Sequence, residues 1–305
     1  MNSSDIKIDL RSHVLAESLD LPERLALWRT NPERFVPDAD LLRNRMEHWC
    51  SVLGFDAQEE LSTRLQVMGL DDSNIPSVLG RLLPDPEDES PDWWSVCQGV
   101  IDHPVPEETV DADYLSRKGE ELIPFEHVFL PWIEVATRML ESTDPELFRK
   151  IHPDVLREEQ RGLLVNLSTC SRSMLLMDFE QQKIGSYDSN DLFLGLIVKR
   201  APDKIYRRFT RSIIEDSWQH YLETYPALAR LLATRVVLWV KSLHEFLHRL
   251  EVDRDLLQET YSPDSPLGAL VKGGRGISDS HNGARAVVIC RFENGCKIVY
   301  KPRSM

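Results

Sequence analysis

Through most of its first 260 residues the chain repeats apolar positions at helical spacing. Phe125, Val128, Phe129, Trp132, Ile133, Ala136 and Met139 recur at i, i+3, i+4, i+7 and i+8, which places them on one core-facing stripe. Pro131 lies inside that stripe and predicts a kink or a division of the helix. A second stripe runs from Leu163 to Phe179. A third is carried by Ile205, Phe209 and Ile213, in a helix expected to end near Pro226. The longest candidate runs from Pro226 to about Val252, with Leu228, Leu231, Leu232, Leu243, Phe246, Leu247 and Leu250 along it. Pro226 suits a first helical position, where a missing N–H costs nothing.

Two segments break this pattern. Between Pro84 and Asp113 lie five of the eighteen prolines, and Asp85–Asp92 holds five acids and no base. Such a composition predicts a mobile surface insertion over about 84–113, pinned to the body by Trp93 and Trp94. After Pro266 the helical period stops. Gly273, Gly274, Gly276 and Gly283 crowd a short span, and then residues 286–292 and 296–301 flank Glu293-Asn294-Gly295 as a β-hairpin. Asn294-Gly295 favours a two-residue type I′ turn. That turn sets Lys301 opposite Val288 and Val299 opposite Cys290, all on one face. The fold class is therefore α+β and mainly α-helical. Residues 1–265 form the helical body, and residues 266–305 form a Gly-rich loop with a hairpin.

Composition narrows the function classes. A chain of 305 residues can bury one large core or two modest ones, and 42% hydrophobic with 28% charged residues is a globular balance. Fifty acids against 36 bases give a net charge of −14. That opposes non-specific binding to nucleic acid or to anionic membranes. The longest apolar runs, Phe193–Val198 and Val236–Val240, fall far short of the ~20 residues that span a bilayer. The N-terminus lacks an apolar signal core. Cys50, Cys97, Cys170, Cys290 and Cys296 are scattered without CxxC spacing, which reads as reduced thiols in a soluble, cytoplasmic protein.

Two constellations could carry chemistry. In the first, from Gly273 to Arg303, glycines admit backbone N–H groups close to phosphate oxygens. Lys301 could meet those phosphates as a point charge, and Arg303 could add a forked donor. Asp279 and His281 are the residue types of acid–base work. The plain alternative is an ordinary hairpin with a solvated lysine. The second constellation is His244-Glu245-Phe246-Leu247-His248, an HExxH in the long helix. It could bind zinc with Glu245 as general base. No metal site is assigned to it, because Glu251 and Arg254 stand where the metzincin pattern needs Gly and His. Glu251 or Glu259 would have to serve as third ligand. The same residues also fit a plain amphipathic helix.

The stretch Ser278-Asp279-Ser280-His281-Asn282-Gly283-Ala284-Arg285-Ala286-Val287, followed by Gly295-x-Lys297-x-Val299-Tyr300-Lys301-Pro302-Arg303-Ser304, resembles the dehydratase domain of the class II lanthipeptide synthetases, the LanM-type enzymes. Tyr225-Pro226-Ala227-Leu228-Ala229-Arg230 and Pro124-Phe125-Glu126-His127 resemble further segments of that family. Ser278 departs from it, replacing the glycine before Asp279. Ala284 and Ala286 likewise replace a glycine and a serine. The resemblance implies a kinase-like fold related to lipid kinases, with residues 266–305 as the start of its N-lobe. It implies that ATP and Mg²⁺ phosphorylate Ser and Thr of a ribosomal precursor peptide carrying a leader. Phosphate elimination then yields dehydroalanine and dehydrobutyrine. By position, Lys301, Gly283 and Arg303 would hold ATP phosphates, and Asp279, His281 and Lys301 would be catalytic. The Mg²⁺ ligands and a zinc-bearing cyclase would lie beyond residue 305, so the 305 residues alone are expected to be inactive. A module that binds the precursor peptide without modifying it is the alternative from a different class.

Overall fold

The computed structural model describes residues 9–53, 57–102, 123–185, 202–214, 218–274 and 286–302. They are mainly helical, with small antiparallel sheets. The chain divides into two compact units: residues 1–89 with 222–229, and residues 90–221 with 230–305.

The first unit opens with the helices Leu10–Glu17 and Leu21–Thr30. A capping box starts the second of these: Asp20 accepts from the Glu23 N–H and Glu23 accepts from the Asp20 N–H, both at 2.9 Å. Strands β1 (Phe35–Val36) and β2 (Arg81–Leu82) pair in an antiparallel ladder. Leu25, Leu61, Leu65, Leu70 and Val78 close one core cluster, with Trp28, Met46 and Trp49 packed against it. Arg24 is buried beside this cluster. It donates to the carbonyls of Val78 at 2.8 Å and Gly80 at 2.7 Å, and its guanidinium lies over the Phe35 ring. Burial, with Arg45 nearby, pulls its pKa down to about 10. The acidic run is tethered here as well, because Asp88 accepts two bonds from Arg34, each at 2.8 Å.

In the second unit residues 94–102 correct the expected mobile insertion. They form the helix Trp94–Asp102, with Trp94, Val96, Cys97 and Val100 buried. This short apolar stripe outweighs the proline and acid around it; residues 103–113 lie outside the described residues. The Phe125–Met139 stripe divides at Pro131 into a 3₁₀ turn, Glu126–Phe129, and the helix Leu130–Thr143. Pro131 occupies the first turn of that helix, where its missing donor is tolerated. Phe125 precedes it with a left-handed φ of 59°. Its N–H donates to the Tyr206 hydroxyl at 2.9 Å, and Ser168 donates to the Pro124 carbonyl at 2.7 Å. The Leu163–Phe179 stripe lies inside a longer helix, Pro153–Gly185. The third stripe stops earlier than expected, in the helix Pro202–Ser212, and a separate helix, Trp218–Thr224, precedes Pro226. The helix Pro226–Val252 then spans the predicted stretch.

Three strands complete this unit: β3 (Leu270–Gly274), β4 (Val288–Phe292) and β5 (Lys297–Tyr300), antiparallel in that order. β3 was not expected, since Gly273 and Gly274 read as loop. They pair with Cys290 and Ile289. Val288, Cys290 and Phe292 form the buried face of β4, and Tyr300 meets Phe246 of the long helix with ring centroids 5.0 Å apart. Among the described residues no helix is long and apolar enough to cross a membrane.

No disulfide joins the five cysteines. Burial raises the Cys97 thiol to about 12 and the Cys290 thiol to about 11. Iodoacetamide at mildly alkaline pH is therefore expected to label Cys50, Cys170 and Cys296 and to spare Cys97 and Cys290 until denaturant is added. Mass spectrometry reads the sites, and early labelling of Cys290 would contradict the sheet's buried face.

Candidate functional site: the open face of the terminal sheet

The hairpin turn decides which face carries Lys301. Gly295 adopts φ 86° and donates to the Phe292 carbonyl at 2.9 Å, while Asn294 stays out of the left-handed region. A type I′ turn needs both central residues left-handed, so the loop is instead three residues long with a bulged glycine. Neighbouring contacts favour this form. The Glu293 N–H donates to the Ala269 carbonyl at 3.0 Å, the Asn294 amide donates to the Ser262 hydroxyl at 2.8 Å, and Asn294 Oδ1 accepts from the Cys296 N–H. The longer loop shifts the register by one residue. Val288 pairs with Tyr300, Ile289 with Val299 and Cys290 with Ile298.

That shift corrects the expected pairing of Lys301 with Val288 and of Val299 with Cys290. A one-residue slip moves every side chain of a strand to the other face. Val299, Lys297 and Ile289 face outward and are exposed, opposite in sense to the buried Val288 and Cys290. Lys301 follows β5 directly instead of lying within it, and it too is exposed. The open face thus sets an apolar cross-strand pair, Ile289 and Val299, beside a strand-end lysine. Val299 keeps 53% of its surface in water. Sequence reasoning missed this pair. The signal was available in the unbroken apolar run 286–290, which has too many apolar residues for a strand with one buried face.

Asp279, His281, Gly283 and Arg303 lie outside the described residues, so of the predicted site residues the structure places Lys301 alone. Lys301 and the apolar pair suit an anionic ligand with a flat apolar part, and a nucleotide has that form. The family model of a domain of unknown function, DUF4135, matches residues 225–305. Its span holds the long helix, the sheet and the YPALAR, SDSHNG and YKPRS segments. A second similarity is to a tRNA dimethylallyltransferase from Halothermothrix orenii (strain H 168), 32% identical over 123 residues. It covers 38% of this chain and 35% of that protein, so the chain spans about a third of the length of the curated relative it matches.

The HExxH residues do not assemble a zinc site. The rings of His244 and His248 stack with centroids 5.8 Å apart, and His244 Nε2 lies 3.8 Å from Asp144 Oδ2. Glu245 pairs with Arg249 at 2.5 Å, Glu251 pairs with Lys150, and Glu259 is exposed. Leu243, Phe246 and Leu247 are buried, as an amphipathic helix requires. Among the described residues no three His, Cys, Asp or Glu side chains converge where they could hold a metal ion.

Proposed function

We propose that this chain is part of the dehydratase region of a lanthipeptide synthetase, a kinase-like enzyme of the cytoplasm. The observation that supports this reading is the strand-end Lys301 beside the open Ile289–Val299 pair, inside the stretch that carries the DSHNG and YKPRS segments. In this reading the nucleotide base lies on the apolar pair and Lys301 meets the phosphates as a point charge. Gly283 and Arg303 contribute to the same phosphates, and Asp279 and His281 assist elimination of phosphate from the modified Ser or Thr. When bound, Mg·ATP supplies the phosphoryl group. Phosphoryl transfer needs a positioned metal and base as much as a lysine. In this reading the chain binds both nucleotide and a precursor peptide.

Isothermal titration calorimetry with Mg·ATP and with a precursor peptide tests this reading. Saturable nucleotide binding supports it. Peptide binding without nucleotide affinity would replace it with a non-catalytic binding module. Transfer of labelled phosphate from ATP to the peptide would establish the phosphoryl-transfer step.

A further inference from the structure

Three cations stand in one row across the open face of the sheet. The register sets Lys272 opposite Arg291 and Arg291 opposite Lys297, and all three side chains are exposed. Among the described residues no ion pair joins any of them to a carboxylate. Strands lie about 4.8 Å apart, so the row covers about 10 Å. Like charges directly opposite one another destabilise a ladder. This chain has 50 acids for its 36 bases, so the row does not follow from a basic surface. Lysines on edge strands discourage unwanted pairing, which accounts for Lys272 on β3 and Lys297 on β5. It does not account for Arg291 on the central strand.

We infer that this row is a docking site for an acidic segment of a polypeptide, whose carboxylates neutralise the three cations. The backbone donors of central β4 are engaged in the ladder on both sides, so at the row's centre the donors offered to a partner come from side chains. Those charges are spread over a flat face, unlike the converging N–H groups that cradle a compact phosphate. Acids on one face of a peptide match this spread, since alternate strand residues lie about 6.7 Å apart and residues four apart on a helix about 6 Å. The next row of the sheet is Ile289 and Val299, with Lys301 beyond it, so an acidic segment and a nucleotide would occupy different rows. As a statement about the peptide substrate the inference rests on the function proposed above; as a statement about docking it stands apart from it.

Fluorescence anisotropy on the full chain tests it. The probe is a fluorescein-labelled nonapeptide of Gly-Glu-Glu repeats, with a Gly-Gln-Gln counterpart and tripolyphosphate as competitor. The Glu peptide is expected to bind, more weakly in high salt, and the Gln peptide is not. Lys272→Gln, Arg291→Gln and Lys297→Gln together are expected to weaken the Glu peptide at least about tenfold. The same triple variant is expected to melt no lower than the parent, because a repulsion has been removed. Lys241→Gln, at a lysine paired with Asp92, serves as a control with unchanged affinity. Equal affinity in parent and triple variant overturns the inference, as does equal binding of the two peptides. Tripolyphosphate binding that needs the row, without peptide binding, overturns it in favour of a phosphate site. A parallel Mg·ATP titration keeps the failures separate: absent nucleotide binding with intact peptide binding sinks the proposed function and leaves the docking site.

Discussion

Trp132→Ala is expected to cost about 3–5 kcal/mol of stability, and Trp132→Phe much less. Trp132 is fully buried in the helix Leu130–Thr143 and meets Trp218 edge-on, with centroids 5.1 Å apart and planes at 73°. Phe129 packs against the same Trp218 ring at 6.1 Å. Truncation to alanine removes a large apolar volume from a site walled by rigid rings, which cannot collapse into the space. Phenylalanine keeps an aromatic ring there. It also removes the indole N–H, which has no hydrogen-bond partner among the described residues. An unpaired buried donor costs about 1–3 kcal/mol, which offsets part of the lost volume. Urea unfolding followed by circular dichroism measures both variants. Comparable losses in the two would show that ring packing does not hold this core together.

The same cluster shows how far the residues foretold the fold. Trp132 reads as core from its apolar stripe, and it is buried. Pro226 announced the helix Pro226–Val252 because φ is already fixed at that residue and no donor is lost. The helix Trp94–Asp102 was hidden because its four buried residues sit among prolines and acids that dominate a composition count. Strand β3 was hidden because its glycines carry no β preference. Gly273 is nonetheless packed inward, where an added Cβ would lie 3.6–3.8 Å from Leu270, Val155 and Val288. Val155 and Val288 come from farther along the chain, and no local pattern reveals them. The hairpin itself was legible, but its register was not. Asn294-Gly295 suits two turn types, and contacts from Ser262 and Ala269 select between them. Lys301 was therefore found at the sheet, but on the face opposite to the one expected.

That change of face gives the last prediction its form. Lys301→Ala is expected to weaken Mg·ATP binding about ten- to a hundredfold, the effect of one charge-assisted bond to phosphate at about 1.5–3 kcal/mol. Because Lys301 is exposed, its loss should leave the melting temperature within the range of a neutral surface change. Lys301→Arg should recover part of the affinity, since the charge returns on a different donor geometry. Val299→Asp supplies an independent check. Val299 points outward in the outer-face set that continues to Lys301, and an aspartate there places a negative charge beside the expected phosphate path. It should reduce nucleotide affinity at least as much as Lys301→Ala, and more at low salt than at high salt, because exposed charges are screened. Had the two-residue turn formed, Val299 would lie in the core and the aspartate would unfold the sheet. Calorimetry and a thermal melt on the same protein samples separate these cases. Intact folding with lost nucleotide binding in both variants supports the open face as the nucleotide seat. Unchanged binding in both removes Lys301 from any role in it.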